Sequence, residues 1–206
     1  MKKKFLKAGV FFLVGGFLVS CTAQKPVAKE LPQIKGKKVL MIIASHNFRD
    51  EEYSIPRKIL ESAGATVICA SSTLKPARGM LGMVVKPDIL IEKVKPEDYD
   101  GFIFVGGVGA SEYWGNPQVH SLIRKAVKMG KIVAAICIAP VTLAKAGVLK
   151  GKKATVWPSE KRELLKKGAI YTGKRVEVEK NIITADGPKS SSLFAEEIVK
   201  ALSRKK

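Results

Sequence analysis

Cys137 lies where a nucleophile would be expected in an α/β fold. The apolar run 131–136 leads directly into it, and Pro140 begins a predicted helix. Such a strand-to-helix turn places a side chain at the carboxyl end of a sheet strand, where open α/β folds bind ligands. It also faces a helix N-terminus, which lowers a thiol pKa, and the arrangement is that of a nucleophile elbow. Position alone leaves a structural, buried cysteine equally open.

Two further segments should reach the same edge of the sheet. Glu52 follows the first predicted strand, and Gly106 and Gly107 follow the third. Glycine lets a backbone N–H approach a substrate oxygen closely because no Cβ intervenes. The N–H of Ile138, the residue after the cysteine, would be a second oxyanion donor. Taken alone, Glu52 is better explained as a carboxylate in a helix first turn, and the glycines also fit an ordinary tight turn.

The elements that position these residues alternate between strand and helix. Continuous apolar runs predict strands buried on both faces, and apolar periodicity with acidic or Pro starts predicts helices. The alternation predicts an α/β fold with helices on both faces of a mostly parallel sheet. Strands are predicted at 38–44, 67–70, 101–105 and 131–136, with short ones near 84, 89–91, 176 and 182–183, and helices at 50–64, 116–129, 140–146, 159–167 and 191–202.

The N-terminus resembles a bacterial lipoprotein signal. Three lysines precede an apolar run over residues 5–19, and Leu18-Val19-Ser20-Cys21 is similar to a lipobox. The run is shorter than the roughly 20 residues of a spanning helix, which favours a cleaved signal over an anchor helix. A plain signal peptide is the other alternative. The resemblance implies that Cys21 is lipidated and that Thr22 after it suits outer-membrane sorting.

The expected organisation is a signal peptide at 1–20, a Pro- and Lys-containing tether at 21–37 and one domain at 38–204. The formal net charge is +19, and loss of the four leader lysines leaves +15. Scattered lysines without an aromatic-interleaved basic stripe argue against nucleic-acid binding, and favour attraction to anionic lipid headgroups. Cys69 and Cys137 remain besides Cys21, too few for a disulfide scaffold.

Five motifs occur in order within residues 38–202: Phe48-Arg49-Asp50-Glu51-Glu52 with Ile55-Pro56, Tyr99-Asp100-Gly101 through Val105-Gly106-Gly107, Ala134 to Pro140, Trp157-Pro158-Ser159, and Ile183 to Pro188. This ordered set resembles the ThiJ/PfpI superfamily, which includes the parkinsonism-associated deglycase. The resemblance implies a three-layer, flavodoxin-like α/β sandwich with a mostly parallel central sheet and a nucleophile elbow. It also implies a homodimer or higher homo-oligomer, and neither a metal nor an organic cofactor.

The resemblance implies roles for the residues at the sheet edge. Glu52 is expected to be protonated and to donate a hydrogen bond to the sulfur of Cys137, which stabilises the thiolate. The backbone around Gly106, Gly107 and Ile138 is expected to hold a substrate oxyanion.

The sequence also departs from the superfamily pattern. Ile138 stands where many protease-like members carry histidine, and Trp157 stands where the deglycase branch carries one. His46 is expected in an exposed loop and His120 on a solvated helix face, so no Cys–His pair is evident. Cys69 is expected to pack in the core, with a redox role as the alternative. Trp157 is expected to pack or to form a pocket wall.

Three functions are consistent with these residues. The first is a stress-protective enzyme of glyoxalase or deglycase type, acting on small reactive carbonyls or their protein adducts. Cys137 would form a hemithioacetal and Glu52 would shuttle the proton. The alternatives are a PfpI-type cysteine peptidase, weakened by the missing histidines, and a non-enzymatic redox sensor or chaperone-like protein. In each case the expected location is the extracytoplasmic side of a membrane, periplasmic or cell-surface, held by the lipid anchor.

Overall fold

The computed structural model describes residues 30–204, and the chain from Leu31 onward forms one compact unit. The predicted signal peptide, Cys21 and the tether as far as residue 29 lie outside the described residues. Packing begins before the first strand: Ile34 is buried, and its N–H donates to the Ala63 carbonyl at 2.7 Å. No helix between residues 30 and 204 is both long enough and apolar enough to cross a membrane.

Twelve strands occur within the described residues, and seven of them build the central sheet. The strands are β1 (Lys38–Ile42), β2 (His46–Phe48), β3 (Thr66–Ser71), β4 (Ala77–Gly79), β5 (Val84–Val85), β6 (Ile89–Leu90), β7 (Gly101–Phe104), β8 (Ile132–Ile136), β9 (Lys153–Ala154), β10 (Ile170–Tyr171), β11 (Val176–Glu179) and β12 (Ile182–Ala185). The spatial order of the central sheet is β11-β12-β8-β7-β1-β3-β6, parallel throughout except for β11 against β12.

Both faces of the sheet are covered, as the continuous apolar runs predict. Within β1, Leu40 packs into one core cluster and Met41 into the other, which is the period-2 alternation of a strand buried on two sides. The five helices of the described chain are α1 (Asp50–Ser62), α2 (Pro117–Lys128), α3 (Pro140–Lys145), α4 (Lys161–Lys166) and α5 (Ser191–Ser203). Core residues of α1 and α5 cover one face, and those of α2, α3 and α4 cover the other. The predicted three-layer α/β sandwich with a mostly parallel sheet is therefore confirmed.

The strand order brings three chain segments to one edge. Strands β1, β7 and β8 are parallel neighbours, so their carboxyl ends lie side by side. The chain leaves β1 toward α1, leaves β7 at Gly106-Gly107 and leaves β8 at Cys137. Between β1 and α1 it forms β2, which pairs with β4 in a small separate sheet. His46 therefore lies in a short strand and not in the predicted loop, although it is exposed as expected.

Candidate active site

Cys137 adopts the left-handed conformation of a nucleophile elbow, with φ 62°. A non-glycine residue in this region is strained and persists only where its surroundings fix it. Two backbone hydrogen bonds do so: the Cys137 N–H donates to the Ala185 carbonyl at 3.0 Å, and its carbonyl accepts from the Trp157 N–H at 2.9 Å. The residue is only 9 % exposed. The elbow therefore presents the sulfur at the floor of a cleft, with little of it open to water.

Glu52 reaches the same point from the first turn of α1 and is completely buried. Its Oε2 accepts the Gly106 N–H at 3.0 Å. Its carboxyl group also lies close enough to the Cys137 sulfur for each group to shift the pKa of the other. The Oε1 atom makes no hydrogen bond within the described residues. The carboxyl group thus links the end of β7 to the nucleophile.

Burial raises the pKa of Glu52 from 4.5 to about 8, although the hydrogen bonds with Cys137 and Gly106 favour its charged form. A carboxyl group that leaves water loses far more hydration energy when charged than when neutral. Glu52 is therefore largely protonated at neutral pH and can donate a hydrogen bond, as the resemblance implies.

The pKa of the Cys137 thiol is also raised, first by burial and then by any negative charge on Glu52. Hydrogen bonds from the N–H groups of Gly107 and Ile138 act in the opposite direction. The expectation that a helix N-terminus would lower this pKa is wrong: α3 has only six residues and begins with Pro140, which has no N–H to offer. Thiol and carboxyl titrate as one pair. Glu52 has the lower pKa of the two, so the first negative charge on the pair lies on its carboxylate, and the two N–H groups stabilise the thiolate when the thiol proton moves to Glu52.

The three backbone donors named from the sequence separate into two roles. The N–H groups of Gly107 and Ile138 converge on the sulfur, where they can also meet the oxygen of a carbonyl bound to it. The Gly106 N–H is occupied by Glu52, so Gly106 positions the acid and does not serve as the predicted oxyanion donor. Gly107 needs to be glycine because its φ is 90° and a Cβ would lie 2.5 Å from the Arg49 nitrogen.

Gly106 leaves no room for a side chain, and we expect Gly106→Ala to disrupt the site. Its Cβ would lie 2.5 Å from the Cys137 Cβ and 2.7 Å from the Ile136 carbonyl oxygen, besides meeting the Glu52 carboxyl. Such overpacking costs about 1–3 kcal/mol, measurable by urea unfolding. The matched control is Gly115→Ala, whose Cβ would meet nothing within 4 Å. Equal unfolding midpoints for the two variants would contradict this account of the site.

A cleft of about 240 Å³ opens above the nucleophile. Most of its wall is apolar, with residues from six separate segments of the chain, and Trp157 is 43 % exposed at the mouth. The cleft accepts a small, largely apolar molecule in contact with the sulfur. Trp157 forms part of the wall, in line with one of the roles expected for it. The lining residues are Arg49, Met80, Gly107, Val108, Cys137, Ile138, Trp157 and Pro188.

Asp50 fixes the part of this wall that sequence reasoning missed. It is buried in the first turn of α1, and its two carboxylate oxygens accept the N–H groups of Leu81 and Met83, each at 2.8 Å. The Met80 N–H donates to the Phe48 carbonyl at 2.9 Å. These bonds hold the β4–β5 turn over the cleft. Glycines at both ends of this segment predict a turn, but the sequence does not show that the turn folds back against Cys137.

The histidines and the second cysteine do not join the site. His46 Nδ1 lies 3.3 Å from the Ser45 hydroxyl and is exposed. His120 is half-buried, so the prediction of a solvated histidine is wrong; desolvation lowers its pKa. Neither lines the cleft. Cys69 is fully buried in β3, as expected for core packing, and burial raises its pKa to about 11. Residues 30–204 contain no cluster of three His, Cys, Asp or Glu side chains placed to hold a metal ion.

Together, the parallel sandwich, the elbow with Cys137 at its tip and the buried carboxylic acid define an α/β protein with a cysteine at the carboxyl edge of its sheet. The sequence model of the DJ-1/PfpI family matches residues 37–201, and the chain belongs to that family. A deglycase of Pyrococcus horikoshii is 33% identical over 163 residues, covering 79% of this chain and 98% of its own. A glutathione-independent glyoxalase of Caenorhabditis elegans is 27% identical over 166 residues, covering 81% and 89%. The crystal structure of a ThiJ/PfpI domain protein from Brachyspira murdochii superposes with a TM-score of 0.81 at 31% identity, covering 85% of this chain and 99% of that one.

Proposed function

We propose that this protein is a cysteine-dependent enzyme that converts small 2-oxoaldehydes, or their adducts on proteins, to harmless products. The observation that carries the proposal is the buried Glu52 carboxyl, neutral at physiological pH, beside a nucleophile that opens onto a small apolar cleft. Relatives named deglycase and glyoxalase support the same class of activity. A general acid and base with a pKa near 8 is well matched to proton transfer near neutral pH.

The chemistry on methylglyoxal can be written with the residues present. The Cys137 sulfur attacks the aldehyde carbon, and the thiol proton passes through Glu52 to the carbonyl oxygen, which yields a hemithioacetal. The N–H groups of Gly107 and Ile138 stabilise the oxygen while it is negative. Glu52 then removes the proton from that carbon and returns one to the neighbouring carbon, while the hydroxyl proton of the hemithioacetal moves to the ketone oxygen. This oxidises the first carbon to a thioester and reduces the second to an alcohol. Water cleaves the thioester, so methylglyoxal plus water gives lactate and the free thiol.

Incubation of the purified full chain with methylglyoxal tests this proposal directly. We expect lactate to form in proportion to the methylglyoxal lost, without glutathione or added metal. Release of free thiol from a preformed methylglyoxal–thiol adduct, followed in parallel, measures the deglycase-type reaction. A protein that consumes methylglyoxal only by stoichiometric modification, with no lactate and no release, would rule out both reactions. Peptide hydrolysis is a weaker alternative, because no histidine of the described chain lines the cleft to serve as its base.

The cell-envelope location is a separate part of the proposal and rests on the residues before the described domain. We expect the Cys21→Ala variant to leave the membrane fraction and to lose incorporation of a labelled fatty acid, because Cys21 is the lipidated residue. The Cys69→Ala variant, which also removes one cysteine, is the matched control and should stay in the membrane fraction. Equal fractionation of Cys21→Ala and the unmodified chain would refute the lipid anchor without affecting the proposed chemistry.

A further inference from the structure

Arg49 is the one residue with a formal charge among the residues that line the described cleft. Its backbone is held firmly, since its N–H donates to the Gly106 carbonyl at 3.0 Å and packs against Gly107. The guanidinium therefore projects from a backbone that is fixed against Gly106 and Gly107, beside one of the two proposed oxyanion donors. Its charge is close enough to interact with both Glu52 and Cys137.

Only some of the hydrogen-bond donors of the Arg49 guanidinium have partners within the described residues. Glu51 approaches its Nε at 2.8 Å and accepts from Nη2 at 3.1 Å. Within residues 30–204 no acceptor takes the Nη1 hydrogens. The side chain is 28 % exposed. A planar guanidinium with five donors can bridge two carboxylates, and it prefers a forked approach to each of them. One edge of Arg49 is thus bound to Glu51, and another remains for a ligand.

We propose that Arg49 selects 2-oxoaldehydes that carry a carboxylate a few bonds from the aldehyde. This inference rests on the proposed function and names its substrate class. The aldehyde carbon lies against Cys137, the intervening carbons contact the apolar wall, and the carboxylate meets Nη1 of Arg49. In a partly desolvated cleft a charge-assisted hydrogen bond contributes about 1.5–3 kcal/mol, which is enough to discriminate about tenfold to a hundredfold against a neutral analogue.

The reaction balances on such a substrate. A suitable probe is 4,5-dioxopentanoate, which has an aldehyde, an adjacent ketone and a carboxylate two methylenes further along. The aldehyde carbon is oxidised to a second carboxyl group and the ketone is reduced to an alcohol. With one water consumed, the product is 2-hydroxyglutarate, and no external oxidant or reductant is required. The methyl ester of the probe has the same chain without the negative charge.

The test compares kcat/KM for the acid and for its methyl ester in four chains: unmodified, Arg49→Gln, Arg49→Lys and Arg78→Gln. Arg78 is exposed on β4, outside the cleft lining, and controls for the loss of one positive charge. We expect the unmodified protein to prefer the acid at least tenfold, Arg49→Gln to lose most of that preference, and Arg78→Gln to keep it. Arg49→Lys should recover part of it, since the charge returns without the fork. A preference that is absent, or unchanged in Arg49→Gln, overturns the inference.

A binding measurement separates this inference from the proposed function. 4-Oxopentanoate retains the ketone and carboxylate but lacks the aldehyde, so it can occupy the cleft without reacting at Cys137. We expect it to slow iodoacetamide labelling of Cys137 more than its methyl ester does, in the unmodified chain and not in Arg49→Gln. If neither methylglyoxal nor 4,5-dioxopentanoate is turned over but 4-oxopentanoate still protects Cys137 in this way, the proposed function fails and the selection of a carboxylate by Arg49 stands. Equal protection by acid and ester overturns the selection even when methylglyoxal is converted.

Discussion

Replacing Cys137 with serine is expected to lower kcat/KM for methylglyoxal by about 10³-fold or more. The serine oxygen would occupy nearly the same position at the elbow, with the same backbone donors around it. However, an alcohol is far harder to ionise than a thiol, and burial at this position already opposes ionisation of the cysteine. No histidine among residues 30–204 lines the cleft to act as a stronger base. The measurement is lactate formation under initial-rate conditions.

The Cys69→Ala variant is the control for loss of a thiol elsewhere in the fold. Cys69 is buried in β3, packs in the core cluster on the α1 and α5 side, and does not line the cleft. Its removal should therefore change stability more than rate. Turnover by Cys137→Ser that equals that of the unmodified protein would show that the elbow cysteine is not the nucleophile.

The Glu52→Gln variant is expected to lose about 10²–10⁴-fold in kcat at neutral pH. Glutamine has the same shape, so its oxygen can still accept the Gly106 N–H and its NH₂ can still donate to the sulfur. It cannot give up and regain a proton, and the two proton transfers on the hemithioacetal need that ability. Iodoacetamide should still label Cys137 stoichiometrically above pH 9, which shows that the site remains assembled. Full activity in this variant would remove Glu52 from the mechanism.

The same substitution should change two pH profiles. Because the active form carries one negative charge on the Cys137–Glu52 pair, kcat/KM of the unmodified protein should rise with pH through about 8. In Glu52→Gln the rise in kcat/KM depends on ionisation of the thiol alone. Because burial raises the pKa of that thiol, the rise should occur at higher pH.

The free energy of unfolding should fall as the pH rises, whereas kcat/KM should increase. A carboxyl group whose pKa rises on folding favours the folded state fully below its unfolded value of 4.5, and that contribution is lost as pH rises through about 8. Between pH 5 and pH 9 the unmodified protein should therefore lose about 3–5 kcal/mol more unfolding free energy than Glu52→Gln. Parallel curves from urea unfolding at the two pH values would contradict a neutral buried Glu52.

Much of the framework could be predicted from the sequence because the signals are local. Buried strands such as β8 show as apolar runs, and Asn116 caps α2 with its side chain, accepting the N–H groups of Gln118 and Val119 at 3.0 and 3.1 Å. The short strands β2, β4, β9 and β10 were not predicted from the sequence. Each has only two or three residues, too few for a periodic pattern, and exists because a distant segment pairs with it.

The sequence by itself determined the class of fold and the elbow with Cys137 at its tip, because both follow from residue type and spacing along one strand or turn. The acid that would meet the cysteine, Glu52, was indicated only by the resemblance of the motifs to a known family. Only the tertiary structure decided that Gly106 holds the acid, that Met80 and Arg49 border the cleft, and that the thiol pKa is raised. The physical reason is that burial and hydrogen-bond partners are properties of segments brought together by parallel strands. The balance between desolvation and N–H donation at one sulfur is set by that packing, which no local pattern encodes.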